Sequence, residues 1–222
     1  CERERMGNQR VYAAVTVDIV SSTQVYEATG RPLRPILLKA TSAINEQFGD
    51  SVAVPFGITL GDEFQGLVKE PVACPRIIHY LRLLIHPLEC RVGVGIGEIA
   101  SPLAASTSEM EGPAFSRSRT AIEKARSTNR RTVYESGIDA LDIAANTISL
   151  LVDLIEAEWT DKQWEAVRAY TTHSNLARAG RELGITAQGM ERRLQSTHWR
   201  EIAEAVESLS ILIGDVLSTN LS

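Results

Sequence analysis

Val54-Pro55-Phe56-Gly57-Ile58-Thr59-Leu60-Gly61-Asp62-Glu63-Phe64-Gln65-Gly66-Leu67-Val68 is the stretch on which the fold turns. Val54, Phe56, Ile58 and Leu60 recur at every second position, the period of a strand. Gly61-Asp62 is a two-residue loop of the Gly-X type that suits a II′ hairpin turn. Glu63 to Val68 then reads as the returning strand. Upstream, Val11 to Ile19 alternates through Val11, Val15 and Val17, and a helix over Pro32 to Phe48 carries Leu33, Ile36, Leu37, Ala40, Ile44 and Phe48 on one stripe. Downstream come a helix from Pro75 to Leu84, a strand from Glu89 to Glu98, a helix from Gly112 to Ser127 and a short strand from Arg131 to Glu135. The order β-α-β-β-α-β-α-β is an α/β (α+β) arrangement with a ferredoxin-like core and additions.

Composition is ordinary for a globular chain: 222 residues, 44% hydrophobic and 23% charged. No apolar run approaches the roughly 20 residues of a membrane span. The three cysteines show no C-x-x-C spacing, so a disulfide framework or structural zinc is not expected and a reducing cytoplasm fits. Glu2 to Arg5 is a charged stub; Met6 reads as the natural start, with a lipidated Cys1 as the alternative. No signal peptide is visible. Lys162 to Arg200 holds seven Lys/Arg against three Glu, a net +4 that leaves −9 for the remainder of a chain whose total is −5. That asymmetry suits a nucleic-acid-binding module on an acidic partner domain. The expected organisation is an α/β domain over 10–137, a connector helix over 138–158 and a helical domain over 159–222. The connector carries Leu141, Ala144, Ile148, Leu151 and Ile155 at helical spacing.

Asp18 closes the first strand and Asp62 sits at the hairpin tip, on strands expected to be neighbours. Two carboxylates converging there suit a hard divalent cation that keeps other positions for water and phosphate. Each alone also reads as a turn residue or a helix cap. Glu63 adds a third carboxylate, and the backbone of Ser21, Ser22 and Thr23 could face phosphate oxygens. Gly93, Gly95 and Gly97 occupy one face of a strand, which points to a closely packed helix rather than a dinucleotide loop. His79 and His86 read as core or surface residues, not ligands.

The strings Val17-Asp18-Ile19-Val20-Ser21-Ser22-Thr23, Thr59-Leu60-Gly61-Asp62-Glu63-Phe64-Gln65-Gly66, Arg91 to Glu98 and Gly112-Pro113-Ala114-Phe115 resemble the SatD family. More distantly they are similar to class III nucleotidyl cyclases and their diguanylate-cyclase relatives, over about Val11 to Glu135. The resemblance implies a nucleotidyl-cyclase-type core, with Mg²⁺ or Mn²⁺ held by Asp18, the Ile19 carbonyl and Asp62, and phosphate met by Ser21 to Thr23. The cyclase helix carries an Asn and, four residues later, an Arg that stabilise the transition state. Those positions are Ser116 and Thr120 here, with Arg117 and Arg119 nearby as candidate catalytic residues. The lysine that reads the purine is replaced by Ile58.

Leu176 to Leu194 has helix-turn-helix spacing. Gly180 allows close crossing, Gly184 supplies a left-handed turn, and Leu183, Ile185, Met190 and Leu194 fill the wedge. Thr186 is a suitable N-cap for a second helix that exposes Gln188, Arg192 and Arg193. A helix from Asp161 to Tyr170, with Trp164 and Val167 inward, supports it. An ordinary helical hairpin or a protein-contacting one are the alternatives. From Trp199 to Leu217, Ile202, Val206, Leu209, Ile213 and Val216 form an a/d seam for the connector helix of the same chain or of a second subunit in a homodimer. The leading reading is a cytoplasmic regulator binding a nucleotide or phosphate-bearing small molecule and DNA. An active nucleotidyl cyclase or nucleotidyltransferase, and a non-catalytic protein-interaction module, are the alternatives.

Overall fold

The structure, a computed structural model, describes residues 10–20 and 32–220, the Leu60 side chain excepted. Five strands, β1 (Tyr12–Ile19), β2 (Val52–Leu60), β3 (Glu63–Val68), β4 (Cys90–Gly97) and β5 (Thr132–Glu135), form one sheet in the order β2-β3-β1-β4-β5. β1 is antiparallel to β3 and to β4, β2 and β3 form an antiparallel hairpin, and β5 is parallel to β4. The first four strands therefore have the ferredoxin-like order, and β5 extends the sheet beyond β4. Gly61 has φ +61° while Asp62 stays on the negative side, the sign pattern of a II′ turn.

Successive side chains point to opposite faces of the sheet. Val15, Val17, Phe64, Val92, Val94 and Ile96 pack against α1 (Leu33–Gln47) and α2 (Cys74–Ile85) through Leu37, Ile44, Ile77 and Leu81. The other face carries the glycine row and α3 (Pro113–Ser127). A Cβ on Gly93 would stand 2.5 Å from the Ile122 nitrogen, and one on Gly95 would run into the Ala114 carbonyl and the Ser118 nitrogen. The glycines thus admit the backbone of a helix, as the row of three implied. Between helix and sheet, Gln65 Nε2 lies 2.7 Å from Thr16 Oγ1, which lies 2.7 Å from Ser118 Oγ; Ser118 then donates to the Gly93 carbonyl at 3.0 Å. Each hydroxyl has one hydrogen, so the chain runs in one direction, from the Gln65 amide through both hydroxyls to the Gly93 carbonyl.

Both outer strands are covered by an asparagine acting as a peptide unit. Asn45 of α1 accepts from the Phe56 N–H at 2.7 Å and donates to the Phe56 carbonyl at 3.0 Å. Asn146 does the same for Tyr134 on β5, at 2.9 and 2.8 Å. An edge residue occupied in this way is closed to pairing with another chain.

The remaining helices are α4 (Asp139–Ala157), α5 (Asp161–His173), α6 (Leu176–Glu182), α7 (Ala187–Gln195) and α8 (Trp199–Asn220). A second hydrophobic cluster joins Trp159, Trp164, Val167, Met190, Leu194 and Ile202, together with Leu83 of α2 and Val152 of α4. The α8 seam is used within the chain: Leu209 and Ile213 enter the core beneath the sheet, and Ile202 and Val206 enter the second cluster. Among the described residues no helix is long and apolar enough to cross a membrane.

The inward face of α4 keeps Leu141, Ile148 and Ile155 of the apolar stripe expected of it, but carries polar groups as well. Leu141, Ala145, Ser149, Val152, Asp153 and Glu156 are buried, and Leu151 is 56% exposed. The cause is Arg82 of α2, itself 3% exposed. Its Nη1 donates to Asp153 Oδ1 at 2.5 Å and Glu156 Oε2 at 2.7 Å, and its Nη2 to Thr132 Oγ1 at 2.6 Å. His79 Nδ1 meets the other Glu156 oxygen at 2.7 Å. Burial by itself pushes the Glu156 carboxyl up, but the Arg82 charge and the His79 hydrogen bond outweigh it and hold the group at about 2.

Removing the cation leaves Asp153 and Glu156 buried without their guanidinium, with His79 the one remaining side-chain partner of Glu156 among the described residues. Arg82→Leu is expected to cost about 3–5 kcal/mol in urea unfolding at neutral pH. In the wild type, Glu156 binds its proton at about 2 when folded and at about 4.3 when unfolded. Its contribution is complete above the unfolded value and disappears as pH falls through the folded one. The urea midpoint should therefore decline between about pH 5 and pH 2, and a flat profile there would contradict this assignment.

Candidate functional site

α3 runs antiparallel to β4. Ala114 abuts Gly95, and Ile122 abuts Gly93 near the start of that strand. One further turn brings Arg126 above the row Glu63–Asp18–Arg91, three residues paired side by side across β3, β1 and β4. Asp18 takes a two-pronged contact from this side chain: Arg126 Nε donates to Oδ2 at 3.0 Å, and Nη2 lies 2.9 Å from Oδ1. Arg126 Nη2 also stands 3.7 Å from Glu63 Oε2. The Arg126 pKa is raised, first by its hydrogen bond to Asp18, with burial opposing and the charges of Asp18, Glu63 and Asp62 adding. Arg91, on the far side of Asp18, reaches Asn129 Oδ1 at 3.4 Å.

The structure thus brings Asp18, Asp62 and Glu63 to one corner, with a guanidinium among them. Ile19 ends β1 there and is 3% exposed. Ser21, Ser22 and Thr23 lie outside the described residues. Arg117 does not join the corner. It sits near the opposite end of α3, where Nη1 donates to the Ile96 carbonyl at 2.6 Å and the head group lies against Gly97 and Gly137. Arg119 is exposed two turns before Arg126 on the same side of the helix. Ser116 and Thr120 turn back on their own helix, donating to the Pro113 and Ser116 carbonyls.

The divalent ion implied for Asp18, Ile19 and Asp62 finds no open donor set in this arrangement. Both Asp18 oxygens already accept from Arg126. Among the described residues no group of three or more His, Cys, Asp or Glu side chains could hold a metal ion. The corner as built is filled by an organic cation, the Arg126 guanidinium. Sequence reasoning passed over Arg126. The signal was its register: Ala114, Ser118 and Ile122 step along the glycine row at intervals of four, and Arg126 is next.

In the helical region, Thr186 caps α7 by accepting from the Gly189 N–H at 3.0 Å, and Asn175 caps α6 by accepting from Arg178 N–H at 3.0 Å. Gly184 has φ +66° between the two helices. A Cβ on Gly180 would come 2.8 Å from the Ile185 carbonyl, so the turn folds directly onto α6. Met190 and Leu194 are buried, Thr186, Gln188 and Arg192 are exposed, and Arg193 is partly buried. Trp164 and Val167 of α5 point inward. His79 and His86 serve as structural residues: His86 Nε2 lies 3.0 Å from Asp161 Oδ1, and its ring stacks on Trp164.

A ferredoxin-ordered sheet with a Gly-Asp-Glu-Phe hairpin makes this an α/β domain, here followed by helices. The chain belongs to the SatD family, whose model matches residues 12–200. Similar solved structures include a microbial GGDEF domain studied with bis-(3′,5′)-cyclic di-GMP (16% identity, 60% of this chain and 85% of that one, TM-score 0.41). Others are the Pseudomonas aeruginosa diguanylate cyclase SiaD in complex with its activator SiaC (17%, 60% and 56%, 0.42) and a Trypanosoma brucei adenylate cyclase in its monomeric state (15%, 51% and 69%, 0.38). No curated protein matches the chain.

Arg126 is 44% exposed and Asp18 14% exposed, so solvent screens the pair and it contributes little to stability. Arg126→Ala is expected to change the unfolding free energy by no more than about 1 kcal/mol, measured in urea. A loss several times larger would make Arg126 a structural residue.

Proposed function

We propose that the chain is a cytoplasmic regulator whose α/β domain binds a nucleotide or another phosphate-bearing small molecule at the corner of Asp18, Asp62, Glu63 and Arg126. The observation that carries this reading is the Arg126 guanidinium, held by Asp18 yet open to solvent at the hairpin. Asp18 fixes the fork in one orientation, and the remaining Nη1 edge is free to meet a phosphate oxygen. Arg119 lies within reach of a longer ligand along the same helix. Mg²⁺ or Mn²⁺ would neutralise phosphate charge, and holding it on Asp18, Asp62 and the Ile19 carbonyl requires Arg126 to move aside. The cyclase or nucleotidyltransferase reading is weaker because Ser116 and Thr120 supply no charge at the positions expected to carry it.

Melting curves with the four nucleoside triphosphates, alone and with Mg²⁺ or Mn²⁺, test this half of the proposal. A ligand at 100 times its Kd is expected to add about 2.7 kcal/mol to the wild type, and Arg126→Ala should lose that gain. No stabilisation of the wild type by any nucleotide would overturn the reading. Product formation abolished by Asp62→Ala would instead establish the enzyme.

The second half of the proposal is that α7 contacts DNA through Thr186, Gln188, Arg192 and Arg193. Support comes from the capped, exposed helix and the local charge of its surroundings. In a homodimer two such arms would span two half-sites. Because the α8 seam is filled from within, a second copy would have to meet the chain elsewhere. Replacing Arg192 and Arg193 by Ala should weaken retention on DNA and reduce the slope of log K against log salt by about 1–2. Unchanged retention and slope would remove DNA from the proposal.

A further inference from the structure

On the face of the sheet away from Asp18, the end of α1, the middle of α2 and the start of α8 enclose a cleft of about 560 Å³, at the junction of the two hydrophobic clusters. That volume lies within the roughly 300–1,000 Å³ of small-molecule sites. Its walls are aromatic. Phe48 and Tyr80 meet edge to face with ring centres 5.7 Å apart. Trp199 also lines the cleft, with His79 stacked on it at 5.4 Å and Tyr170 edge-on at 6.5 Å. His79 is in turn anchored on Glu156. The rim is polar. The Gln47 amide has no hydrogen-bond partner among the described residues, and Thr171 donates its hydroxyl to the Val167 carbonyl, leaving the lone pairs of Oγ1 open.

We propose that this cleft is a binding site for a planar heteroaromatic molecule of nucleobase size. The rings of Tyr80 and Trp199 would cover its faces. The Gln47 amide would pair with a donor and an acceptor on its edge, as carboxamides do with adenine. Arg76 borders the opening and is held only by a loose pair with Glu207 at 3.8 Å, both half-exposed. A phosphate on the ligand could therefore be accommodated but is not required. The site lies on the opposite side of the sheet from Arg126 and does not depend on the ligand proposed there.

Equilibrium dialysis of the full chain against adenosine and guanosine, without divalent metal, tests the proposal; their monophosphates form a second arm. Saturable binding of one nucleoside per chain is expected. Trp199→Ala should weaken it by about tenfold or more, the usual cost of losing one stacking ring. Trp199→Ala also removes the contact with His79, so Gln47→Ala at an exposed position provides the companion variant, expected to bind less well with an unchanged melting temperature. Asp18→Asn should bind as the wild type does. Absence of nucleoside binding, or binding untouched by both cleft variants, would overturn the proposal. Binding lost in Asp18→Asn and kept in the cleft variants would place the ligand at the hairpin instead. The triphosphate stabilisation sensitive to Arg126→Ala is a separate readout, so either site can fail alone.

Discussion

The Arg82 guanidinium, enclosed by Asp153, Glu156 and Thr132, sets the geometry of the molecule beyond its sheet. It is one cation from α2 holding two carboxylates of α4 and a hydroxyl of β5, all inside the protein. Charges taken out of water must be matched nearly completely. The match is met by turning α4 so that Asp153 and Glu156 face inward. Once α4 is turned, Val152 points into the second hydrophobic cluster, and the helices that follow are built from that point. His79 extends the same network to Trp199 and hence to α8. The placement of the helical region on the α/β core is therefore an electrostatic consequence as much as a hydrophobic one.

The glycine row imposes a second constraint, and the candidate site follows from it. With no Cβ atoms at Gly93 and Gly95, α3 lies backbone-to-backbone on β4, closer than any larger residue would permit. A helix so close has little freedom to slide or rotate. Its last turn must then fall over the ends of β1 and β3, where Asp18 and Glu63 stand side by side. The ion pair at that corner is a product of packing some 6–18 Å away along the helix, at about 1.5 Å per residue.

The sheet was legible from residue pattern because each of its devices is local. The alternation of β2 and β3, the Gly61-Asp62 turn and the spacing of the three glycines each depend on a few consecutive residues. The helix-turn-helix was legible for the same reason: Thr186 and Gly184 act within one turn of their own position. What escaped was long-range. The stripe Leu141, Ala144, Ile148, Leu151 and Ile155 is a sound but partial reading of α4: Leu141, Ile148 and Ile155 do pack inward, while Leu151 is exposed and Asp153 and Glu156 are buried, because hydrophobic spacing carries no information about a buried arginine seventy residues earlier. The α8 seam announced an apolar partner but left open whether it belonged to the same chain or to a second one. Arg126 escaped because a basic residue in the last turn of a helix is already accounted for by the helix dipole.

Asp18 and Arg126 also bear on what the hairpin corner can become. The row Glu63–Asp18–Arg91 with Arg126 above it, and Asp62 beside it, holds three acidic and two basic groups. A divalent ion added to this set would leave Arg126 without its carboxylate, whereas a phosphate would meet the free Nη1 edge with the Asp18 pair intact. A metal-bound phosphate satisfies both halves at once, since the ion takes Asp18 and the phosphate keeps Arg126. On the proposed reading, a divalent ion would therefore come to this corner with its phosphate rather than alone, because only then does Arg126 gain a new partner for the carboxylate it gives up.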